Sequence, residues 1–153
     1  MARPVTPAQA LEKLQRFCAY QERSHQEVRS KLLKLEVYGD DLENIIAQLI
    51  SDDFLNEERF AKAFAGGRFR MKGWGRKRIE LELKKRAVSS YSIRKALEQI
   101  EEGDYLESLS RQAEKKAASL NESDPYIRKN KVARYLIGRG FEPELVWNEV
   151  GDD

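Results

Sequence analysis

Apolar residues along this chain fall on a pattern that occurs three times. Aligning positions 24–49 with 75–100 and 128–150 brings Val28, Ile79 and Val132 into register, then Leu32, Leu83 and Leu136, then Val37, Val88 and Phe141. Leu42, Ile93 and Val146 follow, and after them Ile46, Leu97 and Val150. The copies are offset by 51 and then about 53 residues, a period that marks tandem units, each too small to bury its apolar face alone. Inside each copy the spacing of four, five, five and four residues puts each half on one helical face and predicts a break near the third position. Two short helices joined by a tight turn follow. The break is expected at Gly39-Asp40-Asp41, Ser89-Ser90 and Glu142-Pro143, residue types that form turns and start helices.

A further helical pattern precedes each pair: Leu11, Leu14, Phe17 and Cys18; Phe60, Ala61, Phe64 and Ala65; Leu106, Leu109, Ala113 and Ala117. The expected fold is therefore all-α, three tandem three-helix repeats over 6–51, 54–101 and 104–150, stacked into an elongated, curved body. Helix-start signals agree. Thr6 with Gln9 and Ser24 with Glu27 match the capping box, Asp124-Pro125 supplies a cap and a first-turn proline, and Leu55 before a cap at Asn56 forms a staple with Phe60. Sustained two-residue alternation is absent, so no sheet is predicted.

Composition narrows the function. Apolar runs are only a few residues long, too short for a bilayer, and Met1-Ala2-Arg3-Pro4 leads straight into an amphipathic stretch charged at Glu12, Lys13 and Arg16. No signal peptide or membrane partner is expected, and the chain is placed in the cytoplasm. One cysteine, Cys18, and one histidine, His25, give no disulfide and no thiolate and imidazole set for zinc. Cys18 reads as core, and pairs such as Asp52-Asp53 as turn and cap residues. With no catalytic constellation, no metal and no cofactor in sight, the sequence points to a binding protein rather than an enzyme.

Charge changes the picture more. The 28 basic and 26 acidic residues nearly cancel, yet they lie in blocks. Arg68, Arg70, Lys72, Arg76, Lys77, Arg78, Lys84, Lys85 and Arg86 share the segment 68–86 with only Glu80 and Glu82. Arg128, Lys129, Lys131, Arg134 and Arg139 lie in 125–141 with no acid, whereas 36–58 holds eight acids and no base, and 98–124 has a balance of −5. A merely solvated helix face would intersperse the signs in i, i+4 pairs. Clustered Arg and Lys suit phosphates, and separate acidic blocks suit a protein and nucleic-acid assembly better than bare DNA. Trp74, between Gly73 and Gly75, either stacks on a base or plugs the gap between two helices, and the second reading is the commoner. Gly73-Trp74-Gly75 lacks the third glycine of a dinucleotide loop.

The run Arg23-Ser24, Glu27-Val28, then Asp53-Phe54-Leu55-Asn56-Glu57-Glu58-Arg59-Phe60-Ala61, Arg68, and Lys72-Gly73-Trp74-Gly75 with Arg78-Ile79 and Glu82-Leu83 resembles the bacterial RecX family of recombination regulators. Arg139-Gly140-Phe141 is similar to its C-terminal signature, so the likeness spans about Leu11 to Val150. Two departures are Glu58, where the family commonly has Asp, and Arg76, where it has proline after the second glycine. The resemblance implies three three-helix repeats and a partner, the RecA recombinase filament on single-stranded DNA, with duplex DNA bound more weakly. It also implies that the protein lies along the filament groove, bridges protomers and restrains strand exchange, ATP hydrolysis and repressor self-cleavage. Three complete repeats make a self-sufficient monomer the expectation. Arg68, Arg70, Lys72, Trp74, Arg76, Lys77 and Arg78 are the first candidates for the interface, followed by Lys84, Lys85, Arg86, Arg128, Lys129, Lys131 and Arg134. A helix-turn-helix-like duplex binder and a purely protein-binding adaptor are the alternatives.

Overall fold

A computed structural model describes residues 4–151; the part of the signal-peptide reading that rests on Met1 to Arg3 lies outside them. Among the described residues there are nine α-helices and no strand. They run α1 (Pro7–Tyr20), α2 (His25–Lys34), α3 (Gly39–Ser51), α4 (Glu57–Lys72), α5 (Arg76–Lys85), α6 (Ser90–Glu98), α7 (Glu102–Ser119), α8 (Pro125–Gly138) and α9 (Pro143–Val150). Each successive set of three packs internally, and none of these helices is long and apolar enough to cross a membrane.

Local chemistry starts the helices where expected. Thr6 Oγ1 accepts the Gln9 N–H at 3.1 Å while Gln9 Oε1 accepts the Thr6 N–H at 2.9 Å. Ser24 and Glu27 repeat that box at 3.0 and 3.2 Å. Asn56 caps α4 through the Arg59 N–H, and Asp124 caps α8 through the Tyr126 and Ile127 N–H groups. Each such cap stabilises its helix by about 1 kcal/mol. In the first repeat Gly39, Asp40 and Asp41 form the first turn of α3, and Tyr38 occupies its cap without a side-chain bond. Ser89 and Glu142 are the corresponding caps of α6 and α9.

The turn inside each repeat has one solution used three times. Glu36, Ala87 and Gly140 hold the left-handed conformation, at φ of 60°, 59° and 103°. Each precedes the aligned apolar residue, whose N–H returns to the helix: Val37 to Leu32 O at 3.0 Å, Val88 to Leu83 O at 3.2 Å and Phe141 to Leu136 O at 3.2 Å. This is the Schellman closure, in which the left-handed residue lets the chain turn back while the orphan carbonyls stay bonded.

Two cores result. One, from Ala10 to Leu55, is built by the first repeat with Leu55 from the start of the second, so that Leu55 packs here while Phe60, its expected staple partner, packs in the other core; Cys18 is buried within the first. The other, from Phe60 to Val146, is continuous through the second and third repeats. One position departs from the sequence expectation. Tyr105 is 0% exposed and Leu106 is 40% exposed, so the phenol ring, not the leucine, fills the start of α7's buried face.

Candidate nucleic-acid interface

The basic segment lies where the second and third repeats meet. α4 ends at Gly73, whose φ of 68° turns the chain into Trp74 and Gly75. Gly75 is needed for a different reason: a Cβ there would lie under 3.0 Å from the backbone of Gly140 and Phe141. Only hydrogen occupies that place, so the Gly75 N–H donates to Arg139 O and the Lys77 N–H to Gly140 O, both at 2.9 Å. The α4–α5 turn is thereby pinned to the α8–α9 turn.

Arg76 is absorbed by this junction. Its backbone N–H donates to the Tyr105 hydroxyl at 2.9 Å, its guanidinium pairs with Glu142 at 2.7 Å and with Glu102, and it lies 3.7 Å over the Tyr105 ring. Tyr105 in turn donates to the second oxygen of Glu142. The Arg76 and Glu142 side chains are only 22% and 26% exposed. Burial works against the Arg76 charge, but the bonded carboxylates of Glu142 and Glu102 outweigh it and hold the group above its ordinary value. Burial, reinforced by Glu142, pushes the Tyr105 phenol well above the usual tyrosine range. A residue so engaged holds the protein together, and Arg76 is not an open contact for a partner.

Trp74 is likewise closed, at 9% exposed and edge-on to Phe64. The Arg68 and Arg78 guanidinium groups lie 5.5 and 4.2 Å from its ring. The indole fills the interhelical gap and orients two arginines, leaving no open face for a base.

Pairing divides the remaining cations. Lys84 meets Glu80 at 2.9 Å, and Glu82 takes both Lys85 at 3.1 Å and Arg86 at 3.2 Å. Those bonds hold the Glu82 carboxyl below its ordinary value. Arg68, Arg70, Lys72, Lys77 and Arg78 have no carboxylate partner among the described residues. They do not make one patch. Arg68 turns to Trp74, while Arg70 and Lys72 face α7 and α8 across a cleft.

In the third repeat Arg128 is structural, donating to Ala117 O at 2.6 Å and Glu122 O at 3.1 Å, and Lys131 meets Glu122 at 3.4 Å. Lys129 borders a separate hollow with Tyr126 and Trp147. Arg134 is exposed on α8 without an ion-pair partner among the described residues.

Sequence reasoning passed over the cations of α7, because Arg111, Lys115 and Lys116 lie in a segment whose balance is acidic. Their signal was positional: Ser108, Gln112, Lys115 and Ser119 recur at helical spacing and share one face, turned toward Arg70 and Lys72.

Comparison with known proteins follows the same division into repeats. The family model described as RecX, second three-helix domain, matches residues 56–97, and that of the third three-helix domain matches 102–148. The chain is 31% identical over 158 residues to the regulatory protein RecX of Salmonella paratyphi A, across 95% of this chain and 93% of that one. The regulatory protein RecX of Salmonella typhi gives the same identity and coverage. The fold is similar to the crystal structure of RecX from Lactobacillus salivarius, with a TM-score of 0.86 at 24% identity over 94% of each chain. A second crystal structure, of a regulatory protein RecX, superposes at a TM-score of 0.85 and 20% identity over 96% of this chain and 72% of that one.

Proposed function

Because this chain belongs to the RecX family of regulatory proteins, we propose that it binds the RecA recombinase filament on single-stranded DNA and restrains its ATPase, strand-exchange and coprotease activities. The observation that carries this reading is that five cations of the second repeat have no carboxylate partner among the described residues: Arg68 and Arg78 at Trp74, Lys77 next to them in α5, and Arg70 and Lys72 on a separate cleft. Cations held this way release counterions when they meet phosphates, and two of them are oriented in advance by Trp74. The acids of the first repeat, among them the exposed Asp40, Asp41 and Glu43, repel a phosphate backbone and suit a basic protein surface instead. A partner that presents both nucleic acid and protein satisfies both. The protein then acts as a cytoplasmic monomeric regulator, without catalysis of its own.

The test is the single-stranded-DNA-dependent ATPase of RecA with increasing amounts of this protein. Lys77→Glu with Arg78→Glu leaves Arg76, and hence the junction, in place. That variant is expected to keep its helical circular dichroism and to need at least tenfold more protein for half-inhibition. Unchanged inhibition would remove this face from the interface, and no effect of the wild-type chain on the filament would remove the partner.

A further inference from the structure

An open cleft of about 430 Å³ lies between the end of α4 and facing sides of α7 and α8. We propose that it is a second nucleic-acid contact, seating consecutive backbone phosphates of a single strand and offering Tyr135 to one of its bases. The proposal rests on the nucleic-acid reading above and assigns to it a site outside the Lys77 and Arg78 face.

The charge of the lining is one-sided. Arg70, Lys72, Arg111, Lys115, Lys116 and Arg139 border the cleft, and among the described residues no carboxylate does. The segment that supplies three of them is acidic overall, so α7 sorts its charges by face, cations toward the cleft and acids away. Among the described residues only Arg111 of these six has a carboxylate within reach, Glu107 at 3.9 Å, with both side chains mostly in solvent, where such a pair yields readily to a phosphate.

The floor is fixed before any ligand arrives. Gln112 donates from its amide to Gly73 O at 3.0 Å and to Ser108 Oγ at 3.0 Å, and Arg139 donates to Lys72 O. The last carbonyls of α4 are thus capped by the residues that line the cleft, and the electronegative end of that helix is covered. The Lys116 ammonium lies 4.7 Å and the Arg139 guanidinium 5.9 Å from the Tyr135 ring. Arg139 Nε is buried with no acceptor among the described residues. A phosphate supplies the counter-charge that the cations around the cleft lack.

The shape selects the form of nucleic acid. A recessed cleft that places an aromatic ring among cations fits a backbone whose bases are free to stack, which a paired duplex does not offer. Free nucleotides share the phosphate chemistry, so the test must separate them from a strand.

The test uses the full chain and fluorescence anisotropy of a labelled oligothymidylate across a range of salt concentrations. Lys115→Ala with Lys116→Ala, which keeps the helix, should weaken binding about tenfold or more. It should also reduce the slope of log affinity against log salt by about 1.4, the equivalent of two single-strand phosphates. Lys115→Arg with Lys116→Arg should restore both. Unchanged affinity and slope in the alanine variant would overturn the cleft. If Lys77→Glu with Arg78→Glu alone abolished binding, the cleft would fall while the regulatory reading stood; a wild-type chain that bound no oligonucleotide at low salt would overturn both. Displacement of the strand by ATP at matched phosphate concentration would reassign the cleft to a mononucleotide and overturn the strand assignment.

Discussion

Gly75 and Gly140 meet backbone to backbone, and this contact joins the second repeat to the third. Neither could carry a side chain: a Cβ on Gly75 would run into Gly140 and Phe141, and one on Gly140 into Arg78. Around it gather the Gly75 and Lys77 hydrogen bonds, the Arg76–Glu142 pair and the buried Tyr105. The second and third repeats are therefore held at a fixed relation by backbone and polar contacts set against the apolar core that they share.

Gly75→Ala should accordingly cost about 3 kcal/mol or more, at the upper end for overpacking, because the obstructing atoms are main chain and cannot swing aside. Urea unfolding followed by Trp74 and Trp147 fluorescence reads the loss. Gly67→Ala is the matched control: it lies within α4 with nothing within 4 Å of a new Cβ, and should stabilise by up to about 1 kcal/mol. Equal effects at the two glycines would refute the close-contact account.

Much of this architecture is legible in the apolar register. The residues aligned across the three copies from Val28, Leu32, Val37 and Leu42 are all buried, and the caps at Thr6, Ser24, Asn56 and Asp124 lie where hydroxyl, amide and carboxylate side chains announce them. What the sequence concealed is tertiary. Tyr105 enters the core only because Glu142 and the Arg76 N–H, distant in sequence, satisfy its hydroxyl. Arg76 reads as a surface cation until its two carboxylates come from other helices. The α7 cations vanish in a segment average because helical spacing, not net charge, decides which face they share.

The left-handed turns show the same blindness at the backbone level. Only Gly140 advertises its conformation; Glu36 and Ala87 adopt it because the Schellman closure demands it. For residues with a Cβ that conformation costs about 1–2 kcal/mol, partly offset on replacement by the greater freedom glycine has when unfolded. Ala87→Gly should therefore stabilise by about 0.5–1 kcal/mol, seen as a rise of roughly 2 °C in the thermal midpoint. A lower midpoint would show that the turn is not strained.

Glu57 predicts how the fold responds to acid. As the first residue of α4 its carboxylate accepts the Ser89 N–H at 3.3 Å, the Ser89 hydroxyl at 2.5 Å and the Ser92 hydroxyl at 2.8 Å, tying α4 to the start of α6. Burial opposes its ionisation, but these bonds prevail and hold the carboxyl below its ordinary value. With the folded value below the unfolded one, near 4.3 for a free glutamate, the stabilisation is complete above that range and disappears as pH falls through the folded value. Glu57→Gln should thus lower stability by about 1–2 kcal/mol at neutral pH, since bonds to a charged acceptor exceed those to a neutral amide. Urea midpoints of the two proteins should converge as pH drops from about 5 toward 3. A gap that stayed constant through that interval would mean that the glutamate acts by shape rather than by charge.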